Sequence, residues 1–451
     1  MPDARRLIQV TKDVFPGLAI ALAFGALSAT AFAQGPRILT LQDAIERAKT
    51  QNLGARIDDV RTREAEMRIG QARAGWLPRI DFVESWQRGN QPVFVFGSLL
   101  AQRRFTEANF AIDALNHPDS VDNFRHALMV QQSVFDAGAT SAAVRSAELS
   151  RDVAAIGQER ALQDLAVATT SAYGLVLRLQ AEERAAAAGV QAAEEDLRRV
   201  RLRQETGLVT DADVLAVQVH LAAMSEQRLR ISAEATIARM QLNDIMGAPI
   251  EENSLLQMPQ TAPASGGLEA DEAEAINARA EVRASALGEA LARANQQAVR
   301  ASFLPQVAVQ SGWEWNGGTF GSRSGSWTVG TEVRLNIFRG LADRARRAEA
   351  TQALSRALLE RERAENAVRL DVRAARARLE AAVARERVGE ASVARARESQ
   401  RITRDRYENG LADVTELLRA AQAVFQTEAQ DIAARVDVMV QSATLQRALG
   451  R

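Results

Sequence analysis

Cysteine is absent from all 451 residues. That excludes a disulfide framework, a thiolate metal site and a lipid-anchored N-terminal cysteine. Histidine is scarce: His117, His126 and His220 are scattered, and none has a partner at metal-ligand spacing. No glycine-rich phosphate loop and no nucleophile elbow occurs. The sequence therefore predicts no catalytic residue, no metal site and no cofactor, and the chain does not read as an enzyme. Charge of one dominant sign is lacking too. Setting residues 1–33 aside leaves 53 basic and 55 acidic residues, a balance that argues against nucleic acid as a partner. Beyond residue 33 no run approaches the roughly 18 consecutive apolar residues of a membrane-spanning helix.

Proline is sparse in a telling way. None of the ten prolines lies between 119 and 248, and none after 305. Both stretches are dense in Ala, Arg, Glu, Leu and Gln, which are good helix formers. Long helices are expected at 139–206 and 341–409; at about 1.5 Å per residue each would reach roughly 100 Å. Rods of that length must lie side by side in a bundle or a cylinder. Gly207 and Gly410 end them where a left-handed residue is expected. Thr210-x-x-Asp213 and Asp413-x-x-Glu416 then fit the capping-box pattern, which opens return helices at 211–246 and 414–449. Shorter helices near 55–75 and 275–302 have about the length needed to stack end to end on the return helices.

These landmarks come in duplicate. Trp76-Leu77-Pro78 returns as Phe303-Leu304-Pro305, and Val134-Phe135-Asp136-Ala137-Gly138 as Ile337-Phe338-Arg339-Gly340. Glu205-Thr206-Gly207-Leu208 returns as Glu408-Asn409-Gly410-Leu411, and Leu242…Met246-Gly247 as Leu445…Leu449-Gly450. The last two pairs share an offset of 203 residues. A repeat of this kind means one structural unit built twice. Residues 1–33 resemble a secretory signal: Arg5, Arg6 and Lys12 precede a short apolar core that ends in Ala31-Phe32-Ala33. The expected organisation is a signal at 1–33, a first repeat at 34–247, a joining loop at 248–268 and a second repeat at 269–451.

Between the proline and the phenylalanine of each repeat the period changes to two. Strands are predicted at about 79–88 and 124–135, and again at about 306–315 and 326–338. Val307, Val309, Trp313 and Trp315 fall on one face and Gln306, Gln310 and Glu314 on the other. Such alternation suits a transmembrane β-barrel strand, and equally a soluble half-buried hairpin. The aromatic residues favour the barrel. All five tryptophans and ten of the eleven phenylalanines beyond residue 33 lie in or beside these segments, as girdles at two bilayer interfaces require. Residues 89–123 hold 24 more residues than the matching stretch of the second repeat and read as a longer external loop. Four strands cannot close a barrel, since about eight is the smallest known, and open edges are not tolerated in hydrocarbon. The barrel must therefore be shared between chains.

With these features in hand, the chain resembles the TolC-like outer-membrane efflux proteins over almost its whole length after the signal. The resemblance rests on the two Leu-Pro helix-to-strand junctions, the Phe-x-x-Gly strand-to-helix junctions, and the Gly-Leu turns at 207–208 and 410–411. It implies a mainly α fold with transmembrane β-structure: a homotrimer whose 12-stranded outer-membrane barrel continues as a helical barrel through the periplasm. It also implies a passive exit duct of a tripartite efflux or type I secretion system, docked to a periplasmic adaptor and an inner-membrane pump. Carried over by position, the adaptor-docking tips fall on Gly207, Leu208, Gly410 and Leu411. The periplasmic constriction falls on Asp213 and Tyr407, and the acidic ring at the pore mouth on Glu416. Two positions depart from the family: Ala412 replaces an arginine of the closing network, and Arg419 replaces a second acidic ring residue.

Asp213 and Glu416 also have a plain role as helix caps, and both roles can coexist. The windows 204–219 and 407–418 hold six acidic residues and no basic one, and a repeated ring of carboxylates at a narrow opening would favour cations. The competing reading is a periplasmic coiled-coil structural protein that transports nothing. It would not need strands bordered by tryptophan.

Overall fold

The computed structural model describes residues 38–259 and 267–451; the expected signal and the middle of the joining loop lie outside them. Each repeat begins with two short helices. They are α1 (Leu41–Gln51) and α2 (Leu53–Arg73) in the first, and α7 (Leu268–Ala278) and α8 (Ala280–Ala301) in the second. A strand pair follows, then a rod of 67 residues and a return helix of 36: α5 (Ala139–Glu205) with α6 (Asp211–Met246), and α9 (Ala342–Glu408) with α10 (Val414–Leu449). Among the described residues no helix is long and apolar enough to cross a membrane.

The rods carry the packing. Along α5, α6 and α2 lie one after the other; along α9, α10 and α8 do the same. Helix α10 also packs on α5, and so does α8, which locks the two repeats together. The central core gathers Tyr173, Val176 and Leu179 of α5, Leu242 and Met246 of α6, and Met439 of α10. Tyr173 is fully buried; its hydroxyl lies 2.8 Å from the carbonyls of both Leu39 and Gln257, which share its one proton, and accepts from the Gln257 amide at 2.9 Å. It thereby ties down the parallel pair β1 (Ile38–Leu39) and β4 (Leu255–Leu256), which sequence pattern did not reveal because two-residue strands leave no period.

The joints where short helix meets return helix repeat in geometry and not in identity. Asn52 Nδ2 donates to the carbonyl of Ile245 at 2.9 Å. At the matching place in the second repeat Arg279 Nη1 donates to the carbonyl of Ala448 at 3.2 Å. Both side chains serve carbonyls that a helix end leaves without an internal partner.

At one end of the rods stands a four-stranded antiparallel sheet in the order β2 (Arg79–Gly89), β3 (Val121–Phe135), β5 (Gln306–Gly317) and β6 (Ser324–Arg334). Strands β2 and β6 are its open edges. Strand β6 stops at Arg334, short of the 338 expected from the alternation of Leu335 and Ile337. Arg334 pairs with Gln306, the first residue after Pro305, and proline offers no N–H to continue the ladder. The chain then turns into α9 through Gly340 and Leu341, at φ 59° and 67°. Residues 90–120 are not a plain loop: they hold α3 (Pro92–Ala101), a 3₁₀ turn (Glu107–Phe110) and α4 (Ile112–Asn116).

Candidate functional site: the paired turns and the two-faced sheet

The two rods end alike. Gly207 and Gly410 adopt φ 72° and 74°. The amide of Leu208 donates to the Arg203 carbonyl at 2.9 Å and that of Leu411 to the Arg406 carbonyl at 2.8 Å. This is the six-to-one closure of a Schellman motif, and it needs a left-handed residue at the glycine. Leu208 and Leu411 are left as apolar projections, each 68% exposed. The return helices then start differently. Asp213 completes a full capping box: its carboxylate accepts from the Thr210 amide at 2.9 Å, while the Thr210 hydroxyl accepts from the Asp213 amide at 3.3 Å. In the second repeat only half of the expected box forms. Asp413 accepts from the Glu416 amide at 2.8 Å, and the Glu416 side chain points free of the Asp413 backbone, exposed on the first turn of α10. The shorter aspartate, and not the glutamate, reaches back.

The turns lie beside one another over a small core of Leu197, Val200, Val214, Val217, Val414 and Leu417, with Ala412 packed against it. Tyr407 belongs to this core, 7% exposed, and its hydroxyl has no hydrogen-bond partner among the described residues. Burial pushes its pKa up; the Arg203 guanidinium, 5.0 Å from the ring centroid, opposes the shift and the Asp213 carboxylate adds to it. The structure thus brings Asp213 and Tyr407 into one electrostatic neighbourhood and leaves Glu416 apart on the surface. Arg419 is likewise exposed on α10.

The acidic windows are answered from outside their own bounds. Arg203 donates to the carbonyls of Tyr407 at 2.8 Å and Glu408 at 3.3 Å, across from one repeat to the other. Arg199 meets the Glu408 carboxylate at 3.3 Å, and Arg406 donates to the Leu411 carbonyl at 3.1 Å. Sequence reading missed these arginines, although Arg203 and Arg406 stand at equivalent places in the two repeats and the 203-residue offset marks them. It missed Asp196 as well, a carboxylate buried to 5% exposure. Burial raises its pKa, against Arg404, Arg199 and His220. Burial likewise lowers that of His220, against Asp196. A cleft of about 270 Å³ opens over this group, between Arg203, Arg404 and Leu417. Among the described residues no cluster could hold a metal ion.

The sheet has one polar and one apolar face. Cross-strand register sets Ser85, Arg125, Asn316 and Ser324 on one side, joined by Glu314, which is ion-paired with Arg125. The other side carries Phe82, Trp86, Phe124, Trp313, Trp315 and Trp327. Phe82 and Trp327 are 63% and 71% exposed. Large aromatics held in water on one face, with charges on the other, are what a strand between lipid and a wet lumen requires.

Comparison with known proteins agrees with this arrangement. The family model for outer membrane efflux proteins matches residues 45–248 and 273–451, one match per repeat. The pyoverdine export outer membrane protein OpmQ of Pseudomonas aeruginosa is 25% identical over 278 residues, which are 60% of this chain and 55% of OpmQ. Protein CyaE of Bordetella pertussis is 27% identical over 401 residues, 85% of this chain and 78% of that protein. The fold is shared with the CmeC outer membrane channel of Campylobacter jejuni, at TM-score 0.77 and 15% identity, over 91% of this chain and 85% of CmeC. The two-faced sheet, the twin rods and a family match that covers both repeats lead to one assignment: this chain is an outer-membrane protein and belongs to the outer membrane efflux protein family.

Proposed function

We propose that this protein is the exit duct of a tripartite efflux or type I secretion system, a passive conduit from periplasm to exterior that works as a homotrimer. The observation that carries the reading is the sheet: four strands with a lipid-type face, a wet face and two open edges, β2 and β6. Exposed edges in hydrocarbon cost several kcal/mol per unpaired group, so β6 of one copy pairs with β2 of the next until the ring closes. Three copies give 12 strands, an even number in the range of outer-membrane barrels. The rods continue the barrel into the periplasm. The Gly207-Leu208 and Gly410-Leu411 turns are then its far tips, and Leu208 and Leu411 offer the apolar contact for a periplasmic adaptor, itself joined to an inner-membrane pump. Asp213, Tyr407 and Glu416 ring the entrance. The test is extraction of the full chain from outer membranes, with its mass taken by light scattering in mild detergent. A trimer that needs detergent supports the duct; a monomer stable in plain buffer rules it out.

A further inference from the structure

We infer that the segment between β2 and β3 is a strap that crosses the lumen face of the sheet at its outer rim, where it packs against the straps of the two other copies and narrows the exit. The inference rests on the trimeric barrel proposed above. The strap leaves β2, one edge of the sheet, and is pinned to β6, the other edge. Gln102, at the end of α3, donates to Asn123 Oδ1 at 3.0 Å and to the Asp122 carbonyl at 2.7 Å, and its own carbonyl accepts from Ser324 Oγ at 2.8 Å. Arg103 donates to the Gly325 carbonyl at 3.0 Å. Asn123 donates onward to Asn316 at 3.0 Å. Asn123, Asn316 and Ser324 share the face of Arg125 and Glu314, the polar one. Phe94 lies nearest Gly89, on that same face. All these contacts gather at the strand ends remote from the rods.

A strap on the polar face of a closed barrel has no access to lipid, yet it exposes large apolar side chains. Val93 and Ile112 are 79% and 78% exposed, with Leu100 and Phe110 also bare. What faces them across the lumen is the same strap in the other copies. The space is small. Twelve strands about 4.8 Å apart and tilted by about 40° enclose roughly 24 Å from backbone to backbone. Three helices, each about 10–12 Å thick with side chains, fill a circle of about 22–26 Å. The straps therefore meet, and their apolar residues bury one another. A constriction lined with such side chains restricts passage by excluding water.

The chain contains no cysteine, so a single introduced thiol is an unambiguous reporter. Gln310 lies on the polar face of β5, toward the rods from the strap. In intact cells that display the full-length protein, Gln310→Cys is exposed to a membrane-impermeant maleimide too bulky for general porins. Labelling is expected to be slow with the native strap, and roughly tenfold faster or more once Val93→Glu and Ile112→Glu wet the constriction. Should that pair hinder assembly, Val93→Ser with Ile112→Ser is expected to act in the same direction. Separately, Ile112→Cys should form disulfide-linked pairs of subunits on oxidation. Equal labelling with and without the strap substitutions overturns the inference. So does a trimer in which Ile112→Cys never crosslinks, since the apolar side would then face outgoing cargo. A chain that forms no trimer removes this inference together with the duct.

Discussion

At the scale of single residues, the two turn glycines and the pair of buried Asp196 with half-buried His220 make opposite demands. Gly207 and Gly410 have open space around the position of a Cβ, so any side chain there is penalised by backbone conformation alone. Gly410→Val should cost the turn roughly 1 kcal/mol or more. Export is expected to fail while the trimer and its barrel persist, as read by efflux of a dye and by gel mobility; unimpaired efflux would count against docking at the tips. Asp196 and His220 are strained by burial in place of geometry. The pKa of His220 is depressed below its ordinary 6.5, so the folded tip favours the neutral ring. That contribution is complete above pH 6.5 and is lost as the pH falls through the lowered value. Asp196, raised above 3.8, has the reverse sign: the folded state takes up its proton first, and acid relieves the cost. Protection from hydrogen exchange at 196–220, corrected for the intrinsic pH dependence of exchange, should therefore weaken as the pH falls below 6.5, where the unfolded imidazole takes up a proton that the folded one resists. His220→Gln should flatten that step, and Asp196→Asn should slow exchange at pH 7.5. An unchanged pH profile in His220→Gln would show that another group is responsible.

Among elements, the joints decide whether the short helices stay stacked on the return helices. Arg279 is 3% exposed and binds the Glu281 carboxylate through two bonds of 2.9 Å, Asp371 at 3.1 Å and the Ala448 carbonyl at 3.2 Å. Burial would lower its pKa; Glu281 and Asp371 outweigh that and raise it. Breaking a buried ion pair from one side costs about 3–5 kcal/mol. Glu281 keeps Arg447 at 3.2 Å and Arg160 at 3.4 Å, so Arg279→Met should fall at the low end, about 3 kcal/mol. The loss is expected as a lowered Tm with faster exchange confined to α7 and α8. A drop in Tm below one degree would mean that the helices are held by apolar packing alone. The first repeat performs the same task with Asn52, a neutral side chain, and should tolerate substitution better.

For the molecule as a whole, the question is what the proposed ring of carboxylates does beyond capping. The Asp213 carboxylate is occupied by Thr210, whereas the Glu416 side chain is exposed and takes no part in its cap. Asp213→Asn keeps an oxygen for the Thr210 amide and removes the charge, which an alanine would not do. Combined with Glu416→Gln it should weaken cation preference in planar-bilayer conductance with no loss of trimer, because a narrow passage magnifies the field of like charges at its mouth. Tyr407→Ala should widen the resting entrance, since it empties the core on which both turns rest. If the neutral double variant keeps wild-type selectivity, the Asp213 carboxylate is a helix cap and nothing more, and the exposed Glu416 carboxylate does not set the field at the entrance. The arginines that answer Glu408 and the turn carbonyls set an upper bound on the effect: much of the negative potential counted along the chain is already met in space.

Local chemistry was legible in the sequence wherever it repeats along the chain. Absence of proline marked the rods, glycine their ends, period two the strands, and a 203-residue offset the duplication; each follows from steric rules within a few neighbouring residues. The turns and their exposed leucines could be placed in this way. Contacts between residues far apart in sequence could not. That Arg203 would serve the carbonyl of Tyr407, that Asp196 and His220 would come within electrostatic reach of each other, and that residues 90–120 would fold back on the polar face follow from how the rods and strands lie against one another. A window of sequence holds only one side of each such contact. Strand β6 shows the same division: its alternation runs on past Arg334, but a strand ends where its neighbour has no backbone left to pair with it.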